Sequence, residues 1–191
     1  PKAIILKNGI ATKKYQFSIE KRKQIRNELQ IQEKELVIGH VGSFREAKNH
    51  VFLVKTFYEF QKKYPNSKLV LVGEGELLQS IKELAKELGI EQKVIFTGIK
   101  NNIEDYLNIF DFFVFPSLFE GFGMALLEAQ CNGLKCYTSQ GVPNEVNVTG
   151  NVQFLPLTLS AKDWAEQIAK GIDYKRVSKD NEVRKAGYDI L

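Results

Sequence analysis

The chain has 191 residues, 43% of them hydrophobic and 26% charged. That supports one substantial core and excludes disordered and fibrous classes. A net charge of +4, from 27 basic and 23 acidic residues that are interspersed, gives no footprint for a nucleic-acid partner. The longest apolar stretch, Ile109 to Phe119, contains Asp111 and Pro116 and falls short of the ~20 residues a membrane helix needs.

From the start of the chain, Pro1 to Gly9 lacks the separate charged, apolar and cleavage regions of a secretory signal, and the absence of an initiator Met reads as a processed chain or a piece of a longer one. Lys21-Arg22-Lys23 with Arg26 lies in a helical-looking segment and reads as a solvated face; contact with membrane headgroups is the alternative. Leu36 to Val41 reads as a strand and Asn49 to Tyr64 as a helix broken by Pro65-Asn66. Lys68 to Gly73 is a second strand, and Leu77 to Leu88 a helix closed by Gly89. Lys93 to Thr97, a short helix near Ile103 to Ile109, the strand Phe112 to Phe115, a helix from Phe122 to Asn132, and Lys135 to Thr138 continue the alternation. Asn151 to Leu155, Ala161 to Lys170 and Asn181 to Tyr188 close it. Near-continuously apolar strands separated by helices predict a doubly wound parallel α/β sheet, Rossmann-like, covered on both faces.

In such a sheet ligands lie beyond the carboxyl ends of the strands, so the loops there are the candidates. Gly42-Ser43-Phe44-Arg45-Glu46-Ala47-Lys48-Asn49 carries two cations suited to phosphate, although surface charge at a turn is an equally good reading of that stretch alone. Gly73-Glu74-Gly75 fails as a dinucleotide fingerprint because Leu78 stands where the third glycine belongs, and the two glycines read as turn residues with close backbone approach to a ligand. Gly98-Ile99-Lys100 offers backbone groups for a base edge.

The most informative stretch is Pro116-Ser117-Leu118-Phe119-Glu120-Gly121-Phe122-Gly123-Met124-Ala125-Leu126-Leu127-Glu128. A strand that turns through Gly-x-Gly into an Ala/Leu-rich helix leaves unpaired N–H groups facing the crevice, a ready phosphate site. Two glutamates eight positions apart would span ~12 Å at helical rise, room for a ribose at one end and an attached group at the other. His40 and His50 lack clustered partners for a metal, Cys131 and Cys136 read as buried thiols of a reducing compartment, and Trp164 reads as core.

Glu120 through Glu128 resembles the Glu-x7-Glu signature of the retaining family 4, or group 1, glycosyltransferases of GT-B fold. Gly39-His40-Val41-Gly42, Lys48-Asn49-His50, Val72-Gly73-Glu74-Gly75, Phe96-Thr97-Gly98 and Pro116-Ser117 resemble the same family in the same order, over roughly Ile5 to Ile168. The resemblance is strongest to enzymes of capsular or exopolysaccharide synthesis. It implies a hexosyltransferase using a nucleotide sugar, UDP-linked, and a glycan or lipid-linked acceptor. Glu120 would contact the donor sugar, Lys48 would neutralise the diphosphate, and the amides of Phe122, Gly123 and Met124, with Ala125 beside them, would hold sugar and diphosphate. Glu128 would bind the ribose, Gly98-Ile99 the base, and Gly42, Ser43 and Gly73 would line the site.

Ser43 departs from the family's usual arginine, and Arg45, two positions on, is the candidate replacement. No Asp-x-Asp occurs, which agrees with a family that works without metal, and no other cofactor is implied. The resemblance places Ile5 to Gly9 at the hinge and makes the chain a single donor-binding domain, with a core over about 5–170 and closing helices over 171–191. The acceptor domain is expected to be absent and the chain alone inactive. Its expected location is cytoplasmic, with room for peripheral contact at the inner membrane face. Two other readings stay open: a non-catalytic nucleotide- or partner-binding module, and a GT-B-like sugar isomerase or phosphorylase.

Overall fold

A computed structural model describes residues 8–190, so the expected hinge lies outside the described residues as far as Lys7. Six strands, β1 (Leu36–Val41), β2 (Ser67–Val72), β3 (Val94–Phe96), β4 (Phe112–Phe115), β5 (Lys135–Ser139) and β6 (Val152–Leu155), form one sheet in the order β3-β2-β1-β4-β5-β6. All five pairings are parallel. The helices are α1 (Ile19–Glu28), α2 (His50–Lys63), α3 (Leu78–Glu87), α4 (Ile103–Leu107), α5 (Met124–Cys131), α6 (Ala161–Ala169) and α7 (Asp180–Lys185). None among the described residues is long and apolar enough to cross a membrane.

Successive strand residues point to opposite faces, and here both faces are apolar. Val37, Val70, Phe113 and Phe115 enter a core with Leu126, Leu127 and Val183 of α5 and α7. Ile38, Leu69, Leu71, Phe112 and Val114 enter a second core with Leu53, Phe57 and Phe60 of α2 and Trp164 of α6. This two-sided burial is why the strands read as unbroken apolar runs. Trp164 is wholly buried, with its indole N–H donated to the Pro156 carbonyl at 3.1 Å. Cys131 and Cys136 are buried free thiols.

Local chemistry moves two helix starts from their expected places. Asn49 holds φ +54° and Gly123 φ +93°, left-handed conformations that a helix interior does not contain, so α2 begins at His50 and α5 at Met124. The C-terminal residues belong to the same body: Ile10 N–H donates to Tyr188 O at 2.8 Å, and Val183 is in the core.

The basic run of α1 is not the solvated face its sequence suggested. Lys21 and Lys23 are exposed, but Arg22 and Arg26 turn inward. Arg22 Nη1 donates to the carbonyls of Asn108, Ile109 and Phe110 at 3.0 to 3.1 Å, and its Nη2 pairs with Asp111 at 2.6 Å. Arg26 Nη1 donates to Ile109 O at 3.0 Å and lies 3.5 Å from Asp111. Arg176 approaches from the far end of the chain and donates to the carbonyls of Leu107, Asn108, Phe110 and Asn132 at 2.7 to 3.2 Å. The cause is the abrupt end of α4, which leaves a cluster of carbonyls that no backbone N–H serves. Guanidinium groups supply forked donors that a lysine cannot. Burial lowers the Arg176 pKa to about 9.

Arg176→Ala takes a guanidinium donor from the Leu107 and Asn132 carbonyls and leaves those of Asn108 and Phe110 to Arg22 alone, and the expected loss of stability is about 3 kcal/mol. A urea titration measures it; Lys21→Ala, exposed on the same face of the molecule, leaves the midpoint in place.

Candidate functional site

The strand order reverses between β1 and β4, the switch point at which a crevice opens beyond the strand ends. The ladder between them has only two register pairs, Ile38 with Phe112 and Gly39 with Phe113. Beyond these the strands splay, and the His40 imidazole lies across the gap with Nδ1 at 2.9 Å from the Val114 carbonyl. A carbonyl only accepts, so Nδ1 carries the proton and Nε2 the lone pair. His50 at the start of α2 stacks on Phe44 at 4.1 Å and meets His40 edge-on at 4.8 Å. Burial pushes the His40 pKa down to about 4 and that of His50 down to about 2. The crevice floor is therefore neutral.

One wall is the loop after β1. Gly42 N–H donates to Val72 O at 3.0 Å and Phe44 N–H to Glu74 O at 2.9 Å, which press the loop onto the end of β2. A methyl group at Gly73 would sit 2.2 Å from the Gly42 carbonyl oxygen, and one at Gly75 would sit 2.6 Å from that of Phe44. The close approach anticipated at these glycines is thus made by the chain's own backbone. Lys48 ends a single 3-10 turn, Glu46–Lys48, and projects from this wall.

The opposite wall is the loop after β4. Leu118 N–H donates to Ala47 O at 2.8 Å and the Asn49 side chain to Pro116 O at 3.2 Å, tying the two walls together. The loop after β5 supports the second wall from behind: Glu120 N–H donates to Gly141 O at 3.0 Å, and Ser139 Oγ donates to Ser117 O. A methyl at Gly141 would lie 2.0 Å from Leu118 O, so only glycine fits. This third loop was missed in the sequence, although Gly141-Val142-Pro143 directly after a strand is the kind of signal that marked the other loops.

Lys48 Nζ and Glu120 Oε1 meet at 2.6 Å across the crevice. Both side chains are largely shielded, 21% and 13% exposed, so solvent and salt screen their attraction less than that of a surface pair. Lys48 Nζ also lies 4.9 Å from the centroid of the Phe115 ring, and a Cβ placed on Gly123 would lie 3.8 Å from the edge of the same ring. The ammonium and the start of α5 therefore share one end of β4. Gly123 provides no side-chain cap, and Leu126 and Leu127 are the residues whose N–H groups turn back to Gly123 O. The amides of Met124 and Ala125 lie ahead of that first helical bond and carry the partial positive charge of the helix end.

The remaining sequence candidates lie each in its own local setting. Glu128 sits in the second turn of α5, accepts a 2.9 Å hydrogen bond from the Tyr15 hydroxyl, and has its pKa raised by burial. Gly98 holds φ +70° and its carbonyl accepts from Gly73 N–H at 3.0 Å, while Ile99 beside it is exposed. Ser43 is half-buried, and its carbonyl accepts from Arg45 N–H at 2.8 Å. Arg45 is exposed and makes no ion pair among the described residues. Phe122 stacks on Tyr188 at 5.2 Å. Among the described residues no group of three or more His, Cys, Asp or Glu side chains is placed to hold a metal ion.

The family model for glycosyl transferases group 1 matches residues 21–189. The chain belongs to that family. It is 36% identical over 158 residues to EpsF of Bacillus subtilis (strain 168), which bears a glycosyltransferase's name, covering 81% of this chain and 41% of that one. It is 29% identical over 153 residues, 78% of this chain and 38% of the other, to the UDP-Gal:α-D-GlcNAc-diphosphoundecaprenol α-1,3-galactosyltransferase of Escherichia coli. The C-terminal domain of a group 1 glycosyl transferase (LpcC) from Francisella tularensis superposes with a TM-score of 0.79 at 25% identity, over 96% of this chain and all of that domain. The chain spans about two fifths of the length of the curated relatives it matches. Its fold is the C-terminal half of a GT-B glycosyltransferase.

The neutral histidines under the site give a pH signature. Both have folded pKa values below the ~6.5 of an unfolded histidine, so below pH 6.5 the unfolded chain binds more protons and stability falls as pH drops. The loss from His40 runs down to about pH 4 and that from His50 to about pH 2. At pH 5 the histidines together add nearly two protons to those taken up on unfolding. Urea titrations across pH 4.5 to 7.5 measure the slope, which His50→Leu reduces by about one proton.

Proposed function

We propose that this chain is the donor-binding half of a retaining glycosyltransferase that moves a hexose from a UDP-linked donor to a glycan or lipid-linked acceptor in polysaccharide synthesis. The observation that carries this reading is the shielded Lys48–Glu120 pair at the strand switch point, beside the uncapped start of α5. Without a donor the two charges neutralise each other. A nucleotide sugar offers each a better partner, with diphosphate oxygens for Lys48 and sugar hydroxyls for Glu120.

Transfer breaks the bond between the anomeric carbon and the diphosphate oxygen, and the electron pair leaves with the diphosphate. Lys48 Nζ and the Gly123, Met124 and Ala125 amides stand where that charge develops, held by the chain before the reaction begins. Glu128 takes the ribose hydroxyls and the backbone at Ile99 the base. Arg45, free of ion pairs on the same loop as Lys48, supplies the second cation in place of the arginine missing at Ser43. The galactosyltransferase relative is named for a UDP-linked hexose and a diphosphoundecaprenol-linked acceptor, which supports the donor and acceptor classes. The acceptor site belongs to the part of such enzymes that this chain does not span.

Titration calorimetry of this chain with UDP and UDP-hexose tests the reading. Lys48→Ala is expected to weaken both ligands by ~10- to 100-fold, the worth of a charge-assisted contact. Glu120→Ala is expected to weaken UDP-hexose relative to UDP while bare UDP binds at least as well as to the parent, because Lys48 has lost its competing anion. A parent chain that binds neither ligand, or a Lys48→Ala variant that titrates like the parent, overturns the proposal.

A further inference from the structure

Glu128 is a half-buried carboxyl facing one phenol. Tyr15 ends the short turn Thr12–Tyr15, more than a hundred residues away in sequence, and its hydroxyl donates to Glu128 Oε1 at 2.9 Å. That turn is clamped against α5. Asn132, at the end of the helix, donates from Nδ2 to Tyr15 O at 2.9 Å, and the Cys131 thiol lies 3.4 Å from Thr12 O. Thr12 is fully buried and its N–H donates to Asp189 at 3.2 Å. The phenol is thus presented to Glu128 from a fixed frame.

The other neighbours push the carboxyl the opposite way. Burial and the Glu104 carboxylate of α4 both raise its pKa, and the Tyr15 hydrogen bond is what draws it down. A carboxylate of which one oxygen is held by a fixed donor keeps one orientation and retains a second oxygen that can accept.

We propose that Tyr15 is a positioning residue for nucleotide selection: by engaging Oε1 of Glu128 it fixes the carboxylate so that Oε2 accepts from the ribose hydroxyls of the donor, giving the site its preference for ribonucleotides. The inference rests on the assignment of Glu128 to the ribose made above. Tyr15 touches neither sugar nor diphosphate in this account and acts through Glu128 alone.

The test compares UDP with 2′,3′-dideoxy-UDP on the 191-residue chain. The parent is expected to prefer UDP. Tyr15→Phe, which removes one oxygen atom and keeps the ring, is expected to weaken UDP by ~5- to 10-fold, less than the full worth of a hydrogen bond to a charged group because Tyr15 acts through Glu128, and to leave dideoxy-UDP within twofold. Glu128→Gln serves as the control. If it abolishes the ribose preference while Tyr15→Phe keeps it, Tyr15 has no such role and the ribose assignment stands. If Glu128→Gln keeps the preference, the assignment itself fails and this inference with it. Equal losses for both nucleotides in Tyr15→Phe indicate a structural role and also overturn the proposal. A second readout is the acid limb of UDP affinity, expected at higher pH in Tyr15→Phe because the carboxyl protonates more readily without the phenol. An unmoved limb counts against the proposal.

Discussion

The β1–β4 ladder stops after two residue pairs, and the whole site depends on that early stop. Continued pairing would bring the loops after the two strands together and leave no space for a ligand between them. The splay has a cost, since backbone groups at the strand ends lose ladder partners. His40 offsets part of it by engaging the Val114 carbonyl from its ring. That bond by itself favours the charged ring, but the dry packing of His50, Phe113 and Phe115 around it outweighs the bond and holds the imidazole neutral. The crevice therefore has an uncharged floor, and its charge comes from the walls.

Those walls are rigid for backbone reasons. The loop carrying Lys48 is pressed onto Gly73 and Gly75, and the loop carrying Glu120 is backed by Gly141, where a Cβ would collide with main-chain oxygens of the neighbouring loop. Close backbone approach at three loops fixes two opposite charges at 2.6 Å without a ligand between them. In the proposed function, charges held by the scaffold cost little reorganisation when a diphosphate arrives, which is the physical basis of electrostatic preorganisation.

Four of the cations play two different parts. Arg22, Arg26 and Arg176 lie where α4 runs into β4, the end opposite the crevice, and spend their donors on carbonyls of residues 107–110. Lys48 lies at the carboxyl end, where its ion-pair partner is the Glu120 carboxylate. The small positive excess of the composition hides this division. Inward-turned guanidiniums hold the sheet's lower edge, and the Lys48 ammonium faces the crevice.

Much of this was legible in the sequence. Strands buried on both faces leave unbroken apolar runs, so β1 and β4 were bounded to the residue, and each functional loop follows a strand and carries glycine. Glu120, Gly123, Lys48 and Glu128 stood out as candidates because backbone turns and helix starts are written locally, and the fold brings Lys48 and Glu120 into contact. What the sequence could not carry were contacts made across the fold. Whether Arg22 faces water or a carbonyl is decided by a segment 86 residues away, and whether Glu128 has a partner by one 113 residues away. Local chemistry determined the elements and the types of residue at the strand ends; only tertiary packing decided which of those residues meet, because hydrogen bonds and ion pairs depend on distance in space and a linear pattern records only distance along the chain.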